Sequence, residues 1–192
     1  MSLDPLDLSL DRPFAARLTH PELARLFVYW AKLARGSVPT YSAFDPLAVA
    51  FSLPHLQLYR RVDGGDGNGD YRLDLVGESA AQLIGANNRG KLLSEVLVPH
   101  RLPERLALFG RPLADGLPIA YRSFLANPGR EHRLQKRLLL PFAEGDTGPD
   151  LLIAMVVGFQ IEPHQVPIPG RSEGILETIA ASRGDVDAAA AG

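Results

Sequence analysis

Nine consecutive apolar residues, Leu151 to Phe159, constrain this chain more than any other segment. Read as a strand, one side carries Leu151, Ile153, Met155, Val157 and Phe159, and the other Leu152, Ala154, Val156 and Gly158. Both sides are apolar, so the strand needs cover on both faces of its sheet. Nine residues are too few for a membrane-spanning helix, which takes about 20. Whatever fold forms must bury this ribbon between two layers.

The remaining elements follow from periodicity and punctuation. His20-Pro21-Glu22 opens a helix, with proline where its missing N–H does no harm. Leu23, Leu26, Phe27, Trp30, Leu33 and Ala34 then make one broad apolar stripe that ends near Gly36. A strand from about Leu53 and another over Tyr71–Val76 flank the turn 63–70, whose glycines tolerate positive φ and allow a hairpin. Short helices are predicted at Glu78–Ile84 and Lys91–Leu97, and a longer one from about Pro99 to Phe109. Three strands follow, near Leu117–Ala126, Glu131–Phe142 and Asp150–Ile161. With 18 glycines and 16 prolines in 192 residues, turns and short elements outweigh long helices.

The order is a helix, two strands, a helical crossing and three strands. It predicts an α+β domain with a five-stranded antiparallel sheet and short crossing helices on one face. The helix over 20–35 is the one good candidate for the other face, unless a second copy of the chain supplies the cover. The chain divides into a flexible lead-in (1–19), the N-terminal helix and connector (20–52), the sheet domain (53–162) and a C-terminal extension (163–192). That extension holds one weak helical stretch, Glu173–Ala181, and its last ten residues read as disordered.

Composition narrows the function classes. A net charge of −2 offers no basic field for a nucleic-acid backbone. The amino terminus carries Asp4, Asp7 and Asp11 and lacks a basic n-region, so the expectation is a soluble cytoplasmic protein without a membrane anchor. Absence of cysteine excludes disulfides, thiolate metal sites and Cys nucleophiles. The histidines at 20, 55, 100, 132 and 164 lack metal-ligand spacing. Asp66, Asn68 and Asp70 match three positions of a calcium loop, but Tyr71 and Gly77 stand where Gly and Glu are required, which leaves a glycine-rich hairpin turn. No serine lies in a strand–Gly-x-Ser-x-Gly–helix setting, and Asp74 and Glu78 resemble a helix start more than an acid/base pair. No enzyme chemistry is therefore expected. The charged run Arg130–Arg137 reads as a solvated strand end, with a docking face for an acidic partner or one rim of a ligand cavity as alternatives.

Several local pieces carry a resemblance: Leu26-Phe27-Val28-Tyr29-Trp30, Pro39, Asp45-Pro46, Leu53-Pro54, Tyr71-Arg72-Leu73, Val76-Gly77, Leu83-Ile84-Gly85, Gly90, Arg111-Pro112 and Leu138-Leu139-Leu140-Pro141. Together with the element order, these resemble a PAS domain and, more narrowly, a single-domain PAS-like family of alphaproteobacteria, over roughly 26–161. The chain departs from that family at Asp74 and Glu78. The resemblance implies a sensory or signalling module that binds a small ligand, a partner protein or both. A histidine kinase is one such partner, and homodimerisation through the helix before the first strand is another expectation, with Leu23, Leu26, Phe27 and Trp30 at the contact. About 30 residues follow the fifth strand, so no output domain of its own is expected. PAS relatives that hold haem use a His on the crossing helices; His100 is the one such His here and reads as a solvated helix end. The ligand itself is not specified.

A cup between sheet and helices places Tyr71, Leu73, Leu75, Leu83, Ile84, Tyr121, Leu138 and Met155 inward as candidate ligand contacts. The same positions could equally fill an ordinary core. A small α+β enzyme or carrier using that cup as a substrate pocket is the alternative reading.

Overall fold

A computed structural model describes residues 5–63, 69–130, 132–145, 148–159 and 174–192. Six strands form one antiparallel sheet: β1 (Leu56–Val62), β2 (Asp70–Val76), β3 (Ile119–Phe124), β4 (Leu134–Ala143), β5 (Pro149–Phe159) and β6 (Ile175–Ala180). Their order across the sheet is β2-β1-β5-β4-β3-β6. The α+β class and the antiparallel sheet are as expected, with one strand more.

The crossing from β2 to β3 holds α3 (Glu78–Ile84), α4 (Leu93–Val96) and α5 (Leu102–Asp115). Gly85 and Gly116 end α3 and α5 in the left-handed region that favours glycine. These helices cover the inner face of the sheet, where Leu93, Val96, Leu108, Phe109 and Leu113 pack against Tyr59, Leu73, Leu139, Leu152 and Ala154. The outer face is covered by α2 (Pro21–Ala34), whose Leu23, Leu26, Phe27 and Trp30 pack with Leu138, Leu140, Phe142, Ile153 and Met155. Both sides of β5 are thus buried by the chain itself.

Four expectations are corrected. The predicted dimer stripe Leu23, Leu26, Phe27 and Trp30 is wholly buried, because the outer face of the same sheet occupies it. It offers nothing to a second copy. The described part of the lead-in, residues 5–19, is built into the fold: Leu6, Phe14 and Leu18 belong to the outer core, and α1 (Phe14–Arg17) packs beside α2. The stretch expected as a weak helix is instead β6, paired with β3 from Ile119–Ala180 to Ser123–Ile175. An unpaired edge on β3 demands hydrogen-bond partners, and that demand overrides a marginal helix preference. The last residues are ordered as α6 (Arg183–Ala191), with Val186 buried in the outer core. Ser182 caps α6 by accepting from the Asp185 N–H at 3.1 Å. No helix of the described residues is long and apolar enough to cross a membrane.

Candidate functional site

Strand parity places four polar residues of the two central hairpin arms on the inner face. Gln57 and Tyr59 come from β1, and Gln135 and Arg137 from β4. Ser123 and Tyr121 of β3 join them, since Ser123 pairs with Gln135 and Tyr121 with Arg137 across the ladder. Arg105 reaches the same place from α5. Together with Leu73, Ile84, Asn88, Leu93, Val96 and Phe109, all of these except Ser123 line a cavity of about 20 Å³ beneath the crossing helices. That is room for one or two waters.

One hydrogen-bonded chain runs across the floor. Arg137 Nη1 donates to Tyr59 Oη at 2.9 Å, and Tyr59 Oη donates to Gln57 Oε1 at 3.0 Å. Arg137 Nη2 donates to Gln135 Oε1 at 3.2 Å, and Gln135 Nε2 donates to Ser123 Oγ at 3.1 Å. From the helical side, Arg105 Nη2 donates to the Phe124 carbonyl at 3.1 Å, and its guanidinium lies 5.0 Å from the centre of the Tyr121 ring. The Asn127 side chain donates to the Val96 carbonyl at 3.3 Å and closes the end near α4.

Burial sets the electrostatics. It pushes the Tyr59 phenol above its ordinary pKa and pulls Arg105 below its own. At Arg137 burial also opposes the charge, but the Tyr121 and Tyr59 oxygens outweigh it and hold the guanidinium above the ordinary arginine value. Arginine does not lose its proton in proteins, so two cations sit under the helices. An unpaired buried charge costs on the order of several kcal/mol. The lining contains guanidinium, phenol, amide and hydrocarbon groups, a set suited to holding and orienting a ligand.

Of the eight candidate ligand contacts, Leu73, Ile84 and Tyr121 line the cavity. Tyr71 is on the same face but packs edge-on against Phe109, 5.4 Å between ring centres. Leu83 lies over Gly158 of β5, where an added Cβ would collide with its Cδ1. Leu75, Leu138 and Met155 are corrections. A bulge in the β1–β2 register pairs Leu58 with Leu75 and Tyr59 with Leu73, so the extra residue, Asp74, turns Leu75 to the outer face. Leu138 and Met155 oppose each other in the ladder and both face α2.

Sequence reasoning missed Gln57, Tyr59 and Arg105, and reached Gln135 and Arg137 only through the alternative that the charged run forms a cavity rim. The charged run divides: His132 is exposed and Arg130 and Arg133 are half-buried, as a solvated strand end would be, whereas Gln135, Lys136 and Arg137 are all buried. Arg137 matches the alternative of a cavity rim, whereas Lys136 points outward and donates to Thr19 Oγ1 at 2.6 Å. His100 is exposed at the turn before α5, as expected of a helix end. Among the described residues no group of three His, Asp or Glu side chains could hold a metal ion. The central turn residues of the calcium-loop comparison, 64–68, lie outside the described residues.

A second, larger hollow of about 410 Å³ lies at the β1–β2 end of the outer face, between Tyr41, Phe44, Leu53, Leu58, Leu75 and Ile153. It is almost wholly apolar and lacks the convergent polar groups that orient a ligand. No protein-family model matches this chain, and no curated protein matches it.

Proposed function

We propose that this chain is a PAS-type sensory module that binds a small ligand in the cup under α3–α5 and signals through a partner protein. A histidine kinase is the partner class that the sequence resemblance suggests. The observation that carries the reading is the convergence, at one small cavity, of polar groups from β1, β3, β4 and α5 within an otherwise apolar layer. A domain needing only a core would gain more by filling that position with hydrocarbon. Of the helices that roof the cavity, α3 and α4 are short and joined by a turn with Gly85 and Gly90 at positive φ, so occupancy can alter that part of the crossing while the sheet stays fixed.

The test is amide-shift mapping of the full chain against a library of small fragments, charged and neutral. Perturbations clustering at Leu73, Ile84, Tyr121 and Gln135 support the cup. Shifts confined to Leu53 and Leu75 at the outer hollow, or none at any concentration, overturn it.

A further inference from the structure

Arg105 and Arg137 share the cup, and each has only neutral hydrogen-bond partners among the described residues: the Phe124 carbonyl for one, Tyr59 and Gln135 for the other. Arg105 is 3% exposed and Arg137 6%. Glu104, next to Arg105 along α5, instead accepts from the Ile175 N–H at 3.2 Å and stands 3.9 Å from Arg101. Three buried polar atoms of the lining, Arg105 Nη1, Arg137 Nε and Tyr121 Oη, have no hydrogen-bond partner among the described residues. Two like charges and three unused donors thus converge on one small space. A neutral ligand could accept hydrogen bonds from them but would leave the charges uncompensated; an anion supplies both.

The guanidinium fork favours a planar, two-oxygen acceptor. The cavity of about 20 Å³ suits the end of a formate or acetate better than a tetrahedral phosphate. Leu73, Ile84, Leu93 and Val96 form the apolar wall against which a short stem would rest. We propose that the cup is a site for a small monocarboxylate held between Arg105 and Arg137, with the Tyr121 hydroxyl as a third donor. This rests on the reading of the cup as a ligand site and names the ligand class.

Sodium formate and sodium acetate, titrated into the full chain at constant ionic strength, are the probes, with formamide and acetamide as neutral counterparts of equal size. Arginine Nε–H shifts and the thermal midpoint are the readouts. The carboxylates shift the Arg105 and Arg137 resonances saturably and raise the midpoint, and the amides bind at least about tenfold more weakly. Tyr121→Phe removes the third donor, which also faces the Arg137 guanidinium, and the folded variant binds acetate about three- to tenfold more weakly. Arg137→Met abolishes the response, whatever the midpoint of the free variant; if it does not fold, Arg105→Gln gives the same reading. Carboxylate binding that survives either arginine substitution overturns the inference. Amides that bind in the cup where carboxylates do not overturn the inference and leave the cup. If neither class moves a cup resonance, both the inference and the cup fall.

Discussion

Trp30 Nε1 donates to the Pro141 carbonyl oxygen at 2.9 Å, a bond buried between the middle of α2 and the central strand β4. It joins residues 111 apart in sequence and fixes the helix that covers the outer face. Trp30→Ala removes both the bond and the largest fully buried side chain, at an expected cost of about 3–5 kcal/mol. Trp30→Phe keeps most of the volume but leaves the carbonyl without its donor, at about 1–3 kcal/mol. Urea unfolding of the three proteins measures both. An alanine variant as stable as the parent would show that α2 does not hold the outer core.

Gly77 follows β2 where the backbone meets the turn before β1. A Cβ there would collide with the Pro54 carbonyl oxygen and lie 2.5 Å from that of Leu53. Backbone cannot step aside, so Gly77→Ala should cost about 1–3 kcal/mol. At Gly158 the obstacle is the end of the half-buried Leu83 side chain, which can rotate away, and Gly158→Ala should cost less than about 1 kcal/mol. Thermal unfolding of the pair ranks them; equal losses would contradict this distinction between rigid and movable neighbours.

Whether each feature was legible in the sequence depends on how local its cause is. The two-sided strand at Leu151–Phe159 and the stripe on α2 are local patterns, and each declares its need for cover. Parity is different. With both faces of β4 and β5 apolar, nothing in the alternation says that Leu139 faces the cup and Leu138 faces α2. The bulge at Asp74 reverses Leu75 because it arises from pairing with β1, not from β2 alone. Arg137 was hidden by its company, since a run of charged residues ordinarily marks solvent, and only the ladder partners of β4 show it buried. The terminal segments read as loose because their partners are each other: the Leu6 N–H meets Glu177, and the Phe14 N–H meets Asp185.

That last contact carries a pH dependence. Asp185 accepts from the Phe14 N–H at 2.8 Å and from the Ser182 N–H and hydroxyl at 2.9 and 2.6 Å. Burial pushes its carboxyl pKa up, but these donors outweigh it and leave the value below the ordinary aspartate range. A carboxylate with a lowered pKa in the folded state binds protons more readily once unfolded. Its contribution is therefore complete above about pH 4, the unfolded value, and is lost as pH falls through the lower folded value. Hydrogen exchange at Phe14 and Val186 should accelerate in that acid window. In Asp185→Asn the acid-dependent part disappears, and protection at pH 7 should already be reduced; an acid profile that this substitution leaves unchanged would exclude the carboxylate as the cause.

Glu177 ties three parts of the chain together. From β6 it pairs with Arg122 of β3, where Arg122 Nε donates at 2.9 Å, and it also accepts from the Leu6 N–H at 2.8 Å. Arg122 and Glu177 side chains are only 12% and 13% exposed, so the pair is better shielded from solvent than a surface ion pair. Glu177→Ala leaves the guanidinium half-served and frees the N-terminal segment, at about 1–3 kcal/mol. Glu177→Gln retains an acceptor for Leu6 and should cost less. The distinguishing measurement is limited proteolysis of residues 5–18 together with global unfolding. The alanine variant should be cut there at denaturant concentrations where the sheet is still intact, because Leu6, Phe14 and Leu18 reach the outer core only when that segment is docked. Cleavage that begins only with global unfolding would mean that the N-terminal segment and the sheet form one cooperative unit without help from Glu177.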